Sequence, residues 1–91
     1  MNPNYQLLPE EVRNPLELYI ESRIRPGHFL SAVLANDLTQ AVAKADPINL
    51  LQLPALVKWL YREAPSNCWG SRDRFEAWLR GEESSAALSR K

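Results

Sequence analysis

Residues 53–70, LPALVKWLYREAPSNCWG, decide how this chain is read. Pro54 suits a helix start, because its missing N–H is one the first turn leaves unpaired anyway. Leu56, Val57, Leu60 and Tyr61 then recur at helical spacing and predict an inward face. Lys58, Arg62 and Glu63 point outward, and Trp59 falls between the two faces. Pro65 ends the helix, and residues 66–70 form a loop that sets the only cysteine, Cys68, beside Trp69 and Gly70. So much aromatic mass next to an enforced chain reversal predicts either the keystone of a small helical core or a shaped contact surface. It does not predict a reaction centre.

Toward the C-terminus, Ser71 caps a last helix carrying Phe75, Trp78 and Leu79, and Gly81 supplies its stop. Residues 82–91, EESSAALSRK, are small and polar and read as a flexible tail. In the other direction, Asp46-Pro47 gives a cap followed by a proline, and the apolar residues 48–53 follow. Pro54 is expected to restart the helix there, since its ring clashes with the carbonyl four residues back. Residues 28–45 have the best helical periodicity, with Phe29, Leu30, Val33, Leu34, Leu38, Ala41, Val42 and Ala45 on one broad face. Asn36-Asp37 interrupts that segment; the pair reads as exposed positions of one helix, with a cap dividing two shorter helices as the alternative.

Arg25-Pro26-Gly27 turns the chain and ends a first helix whose Leu16, Tyr19 and Ile20, with Ile24 left open, mark a buried stripe. Asn14-Pro15 reads as cap and first position, with Glu17 at the capping-box place. Together with Pro9 it predicts two short pieces, not one straight helix. The expected fold is all-α: a compact bundle of four to five short, mostly Pro-initiated helices forming a single domain over residues 1–81.

Composition narrows function mainly by exclusion. Lys plus Arg and Asp plus Glu number 11 each, so the net charge is zero. Nucleic-acid binders usually carry a basic excess, which makes nucleic acid an unfavoured partner. Near-neutral chains tend to self-associate, so a homo-oligomer is an open expectation. One cysteine cannot form an internal disulfide. The N-terminal residues lack the basic and apolar regions of a signal peptide, and no apolar run approaches ~20 residues. The expected location is the bacterial cytoplasm, without membrane contact.

The only histidine is His28 and the only cysteine Cys68. With no Gly-rich phosphate loop, no metal-spaced ligands and no nucleophile elbow, neither an enzyme nor a cofactor nor a metal is expected. Cys68 reads as a small buried hydrophobe and His28 as an exposed first-turn residue. Arg23, Arg25, His28 and the helix start beyond them suit a phosphate-bearing small molecule or an acidic peptide. The plainer alternative is a tight turn with both arginines paired to Glu17 or Glu21. A second cluster, Trp59, Arg62, Trp69, Arg72 and Arg74, has the residue types of interface hot spots. Within it Trp69 is expected under the loop and Trp59 partly exposed, with Trp78 in the core. Residues 54–64 and 72–80 also mimic a helix-turn-helix, although Asp73 and Glu76 would face phosphates at close range.

YIESRIRPGHFLSAVLANDL at residues 19–38, followed by LPALVKWLYREAPSNCWGS at residues 53–71, resembles a group of short, uncharacterised all-α proteins of bacteriophages, prophages and proteobacteria. The marks are Pro26-Gly27, Asn36-Asp37-Leu38, Trp59-Leu60-Tyr61, Ala64-Pro65-Ser66 and Cys68-Trp69-Gly70, and the likeness covers roughly residues 16–79. It brings no activity and no functional residues. It implies a setting in which small accessory proteins bind and disable, or redirect, a host factor. The expectation is a non-enzymatic protein that engages a bacterial host or defence protein through Arg25, His28, Trp59, Arg62, Trp69 and Arg72. The alternatives are a sponge for an anionic nucleotide, held by Arg23, Arg25 and Trp69, and a small DNA-binding regulator.

Overall fold

One short helix, His28–Leu34, is buried on almost every side and organises the rest: Phe29, Leu30, Ala32, Val33 and Leu34 all lie in the core. A helix apolar all round needs neighbours on all sides. The computed structural model describes residues 3–81. It is an all-α bundle of α1 (Glu10–Ser22), α2 (His28–Leu34), α3 (Leu38–Lys44), α4 (Pro47–Glu63) and α5 (Arg72–Leu79). Single 3-10 turns at Tyr5–Leu7 and Ser66–Cys68 complete it, with no strand among the described residues. The expected tail at 82–91 lies outside them.

Both interior prolines are carried inside continuous helices, against the sequence expectation. Pro15 sits within α1, which begins at Glu10 with Pro9 at its cap instead of starting at Asn14. Val12, Leu16, Tyr19 and Ile20 are all buried across the proline. Each is worth about 1.5–3 kcal/mol, so together they outweigh the ~3 kcal/mol an interior proline costs. Pro54 likewise lies inside α4, which Asp46 starts by accepting the Asn49 amide at 2.7 Å. Pro54 is exposed, so the carbonyl it leaves without an amide can turn to water.

Residues 28–45 do the opposite and divide. The capping alternative is the one realised, between α2 and α3. Asn36 adopts a left-handed φ of 60°, and the Asp37 carboxylate caps α3 by accepting the Gln40 amide at 3.3 Å. Asn tolerates that conformation better than other side-chain-bearing residues do. The break lets α3 fold back on α2, with Ala41 buried between them. Leu38 and Val42, expected on the core face, are exposed.

α1 stops at Ser22, before the Arg25-Pro26-Gly27 turn, because Arg23 takes a left-handed φ of 59°. The Arg23 and Ile24 amides then return to the Tyr19 and Leu18 carbonyls. Ile24 is exposed. The Arg23 guanidinium lies 4.0 Å from the Trp78 ring and donates to the Trp78 carbonyl at 2.9 Å, so it clamps α1 to α5. Ser71 caps α5 as expected, accepting the Arg74 amide at 3.1 Å, and Gly81 follows with a positive φ. Gly70 has a φ of 108°, and a Cβ there would meet the Arg74 guanidinium at 3.2 Å. Its amide donates to the Leu34 carbonyl at 2.9 Å, which ties the 66–70 loop to the end of α2.

Candidate functional site

The six residues singled out from the sequence fall in three places. Arg25, His28 and Arg72 come together. They line a cleft of about 340 Å³ with Ser31 of α2 and Gln40 and Lys44 of α3. The loop after α1 supplies Arg25, and the first turn of α5 supplies Arg72. Glu76 links the two arginines: Arg25 meets it at 2.9 Å and Arg72, one turn earlier on α5, at 3.9 Å. Arg72 also lies 4.0 Å from Asp37. Arg25 therefore pairs across to α5, not with Glu17 or Glu21, and its guanidinium rests 5.3 Å from the Phe75 ring. These pairs are exposed and contribute at most about 1 kcal/mol each to stability. Their effect is to hold two guanidinium groups side by side at the cleft.

Lys44, Gln40 and Ser31 were not foreseen. The Ser31 hydroxyl donates to the Pro26 carbonyl at 3.1 Å, which fixes the turn. His28 is exposed, and it also lines a second cleft, of similar size, toward Glu11, Asp46 and Ile48.

Trp59 is a core residue, correcting the expectation of partial exposure. It is buried, its ring lies 5.5 Å from that of Tyr5, and its indole N–H donates to the Asn4 carbonyl at 2.8 Å. Arg62 is exposed beside it, at a shallow cleft shared with Leu7, Lys58 and Glu63. Trp69 is half-buried at the junction of α3 and α4, near Leu38, Leu53 and Val57. The trio imagined for a nucleotide, Arg23, Arg25 and Trp69, is thus dispersed: Arg23 is stacked on Trp78, and Trp69 lines a different cleft from Arg25.

The helix-turn-helix layout meets a similar obstacle. Residues 64–71 separate α4 from α5 and include a 3-10 turn, where that motif uses about 3–4 residues. Phe75, Ala77 and Trp78 are buried, and Glu76 is engaged with the two arginines.

Cys68 is fully buried, while His28 is exposed, and no hydrogen bond joins them among the described residues. Burial pushes the thiol up to about 12. Between the ordinary thiol range and that value the unfolded chain releases a proton that the folded chain keeps. Stability is therefore expected to be flat below about pH 8 and to fall above it, by up to ~1.4 kcal/mol per pH unit for this group. Urea midpoints measured from pH 7 to 10.5 check this, and Cys68→Ala should shallow the alkaline slope.

A feature the sequence pattern missed lies on α4. Val57 and Tyr61 are exposed, not inward, and with Leu50 and Pro54 they form a stripe at i, i+4, i+7 and i+11. Tyr61 is 82% exposed and neighbouring Leu51 83%. Leu38, 68% exposed, joins this face across the small cleft at Trp69. No helix of the described residues is long and apolar enough to cross a membrane, and no group of three or more potential metal ligands occurs among them. No protein-family model, curated protein or solved structure matches the chain.

Proposed function

We propose that this is a non-enzymatic binding protein that engages another protein stoichiometrically through the outer face of α4. The observation that carries this reading is the exposed stripe Leu50, Pro54, Val57 and Tyr61, flanked by Leu51 and Leu38. Its alternating steps of four and three residues are those by which one helix lays a seam along another. Contiguous apolar surface of this kind marks association sites in soluble domains. The occupant that fits is an amphipathic helix of a bacterial protein. The resemblance to phage and prophage proteins drawn from the sequence extends the proposal to disabling or redirecting a host or defence factor in the bacterial cytoplasm. Arg62, exposed near the C-terminal end of α4, would serve as a basic rim contact.

Leu51→Asp combined with Tyr61→Asp tests this, since both side chains stand in solvent and the fold does not need them. Loss of an exposed aromatic anchor and burial of unpaired charge should weaken capture of the partner from bacterial lysate at least about tenfold, with melting unchanged. Equal capture by both forms would remove α4 as the interface. Light scattering of the purified protein guards the assignment: a dimer that the double variant converts to monomer would give the face to a second copy instead.

A further inference from the structure

We infer that the cleft between the α1–α2 loop, α2, α3 and α5 binds a small phosphate-bearing molecule. Arg25, His28, Gln40, Lys44 and Arg72 supply its polar groups, and the Glu76 and Asp37 carboxylates stand against its two arginines. Its volume of about 340 Å³ is near the lower end of the range for small-molecule sites, ~300–1,000 Å³. The site is independent of the α4 face and shares no residue with it.

The charge arrangement favours an anion with several oxygens. Glu76 already bridges Arg25 and Arg72, at 2.9 and 3.9 Å. Asp37 lies 4.0 Å from Arg72 as well, yet the two carboxylates do not use all the donors of two guanidinium groups, each a planar fork with five N–H bonds. A phosphate approaching from the open side can take N–H donors that Glu76 and Asp37 leave vacant, and charge-assisted contacts of this kind are the strong ones. Lys44 stands at the last turn of α3 with no carboxylate partner among the described residues. It would add a third cationic contact to those of Arg25 and Arg72. The Gln40 amide can donate to a hydroxyl or phosphate oxygen, whereas the Ser31 hydroxyl is occupied with Pro26.

The cleft also limits the class of ligand. Apart from the His28 imidazole, no aromatic ring lines it, and Trp69 lies elsewhere. A nucleobase would therefore find no indole or phenyl platform on which to stack. A compact phosphorylated polyol or sugar fits better than a nucleotide held by its base.

Amide NMR titrations with inorganic phosphate and with ribose 5-phosphate, at constant ionic strength, test the site. Saturable shifts are expected around residues 25–32, 40–44 and 72–76, with the sugar phosphate binding more tightly than phosphate alone. Lys44→Glu and Arg72→Gln should each weaken both ligands about tenfold, while melting stays as in the wild type. Lys58→Glu makes the same charge change as Lys44→Glu on exposed α4, and should alter affinity less than about twofold. Shifts that never saturate, or an equal loss in Lys58→Glu, would overturn the site. A single-stranded oligonucleotide that saturates the same amides at lower concentration than ribose 5-phosphate would overturn the small-molecule class.

Discussion

Replacing Tyr19 with alanine is expected to remove a fifth or more of the stability of the domain. Tyr19 is fully buried on α1, and its ring stacks on Phe75 of α5 at 5.4 Å. Its hydroxyl donates to the Cys68 carbonyl at 2.7 Å, and its own carbonyl accepts the Trp78 indole N–H at 3.1 Å. One side chain thus joins α1, the 66–68 turn and α5. Large aromatic-to-alanine changes in a core cost about 3–5 kcal/mol, against a total of roughly 5–14 kcal/mol for a domain of this length. Tyr19→Phe isolates the hydroxyl. It keeps the stack but leaves the buried Cys68 carbonyl without this donor, at a cost of about 1–3 kcal/mol. Urea unfolding of the three proteins should therefore give midpoints in the order wild type, Phe, Ala. A phenylalanine variant as stable as the wild type would show that the 2.7 Å bond contributes nothing net.

Trp59→Ala should cost nearly as much, about 3–5 kcal/mol, and its damage should spread to the N-terminal segment. The segment preceding α1 is a strap. Asn4 accepts from the Trp59 indole with its carbonyl at 2.8 Å and donates its amide to Glu63 at 3.1 Å. Tyr5 packs on the same indole and donates its hydroxyl to Glu21 at 2.7 Å, so burial and that carboxylate together raise its ionisation above the usual phenol range. Arg13 reaches back to the carbonyls of Tyr5 and Leu8, at 3.1 and 2.9 Å. Removing the indole takes away both the acceptor's donor and the surface on which Tyr5 lies. Hydrogen exchange should then accelerate at residues 4–8 before it does so in α2. Arg62→Ala, a change on the exposed side of the same helix, should shift the melting temperature little. If the two variants melted alike, Trp59 would not be the anchor described.

The helical class, the caps at Asp46 and Ser71 and the core roles of Phe75 and Trp78 were legible because each rests on a local rule. The prolines misled for an equally physical reason. Pro15 and Pro54 carry a local cost, but Val12, Tyr19 and Trp59 draw their stabilisation from residues far away in the chain. The burial of α4 was misread by the same route. Leu56 and Leu60 were placed correctly, yet Val57 and Tyr61 sit on the side that periodicity alone could not tell from the core. For the cleft, Arg25 and His28 were recognisable as neighbours in sequence, and Arg72 as a basic residue at a helix start. Lys44 was missed because a single helix over residues 28–45 would have carried it away from His28. Reading Asn36-Asp37 as a cap would have been the signal.

That break has a consequence for how the cleft can work. In an unbroken helix, positions 28 and 44 would stand about 24 Å apart along the axis, at ~1.5 Å per residue. Instead the chain bends at Asn36 into an elbow, and both residues face one space. The separation between the cleft's cations is therefore set by an angle, not by the spacing of residues along one helix. An anion gripped by Lys44 on the α3 arm and by His28 at the start of the α2 arm would act as a brace across the elbow. By thermodynamic reciprocity, whatever stiffens the bend tightens the grip to the same degree. Occupancy of the cleft and rigidity of the α2–α3 elbow would then be a single equilibrium seen from its two ends.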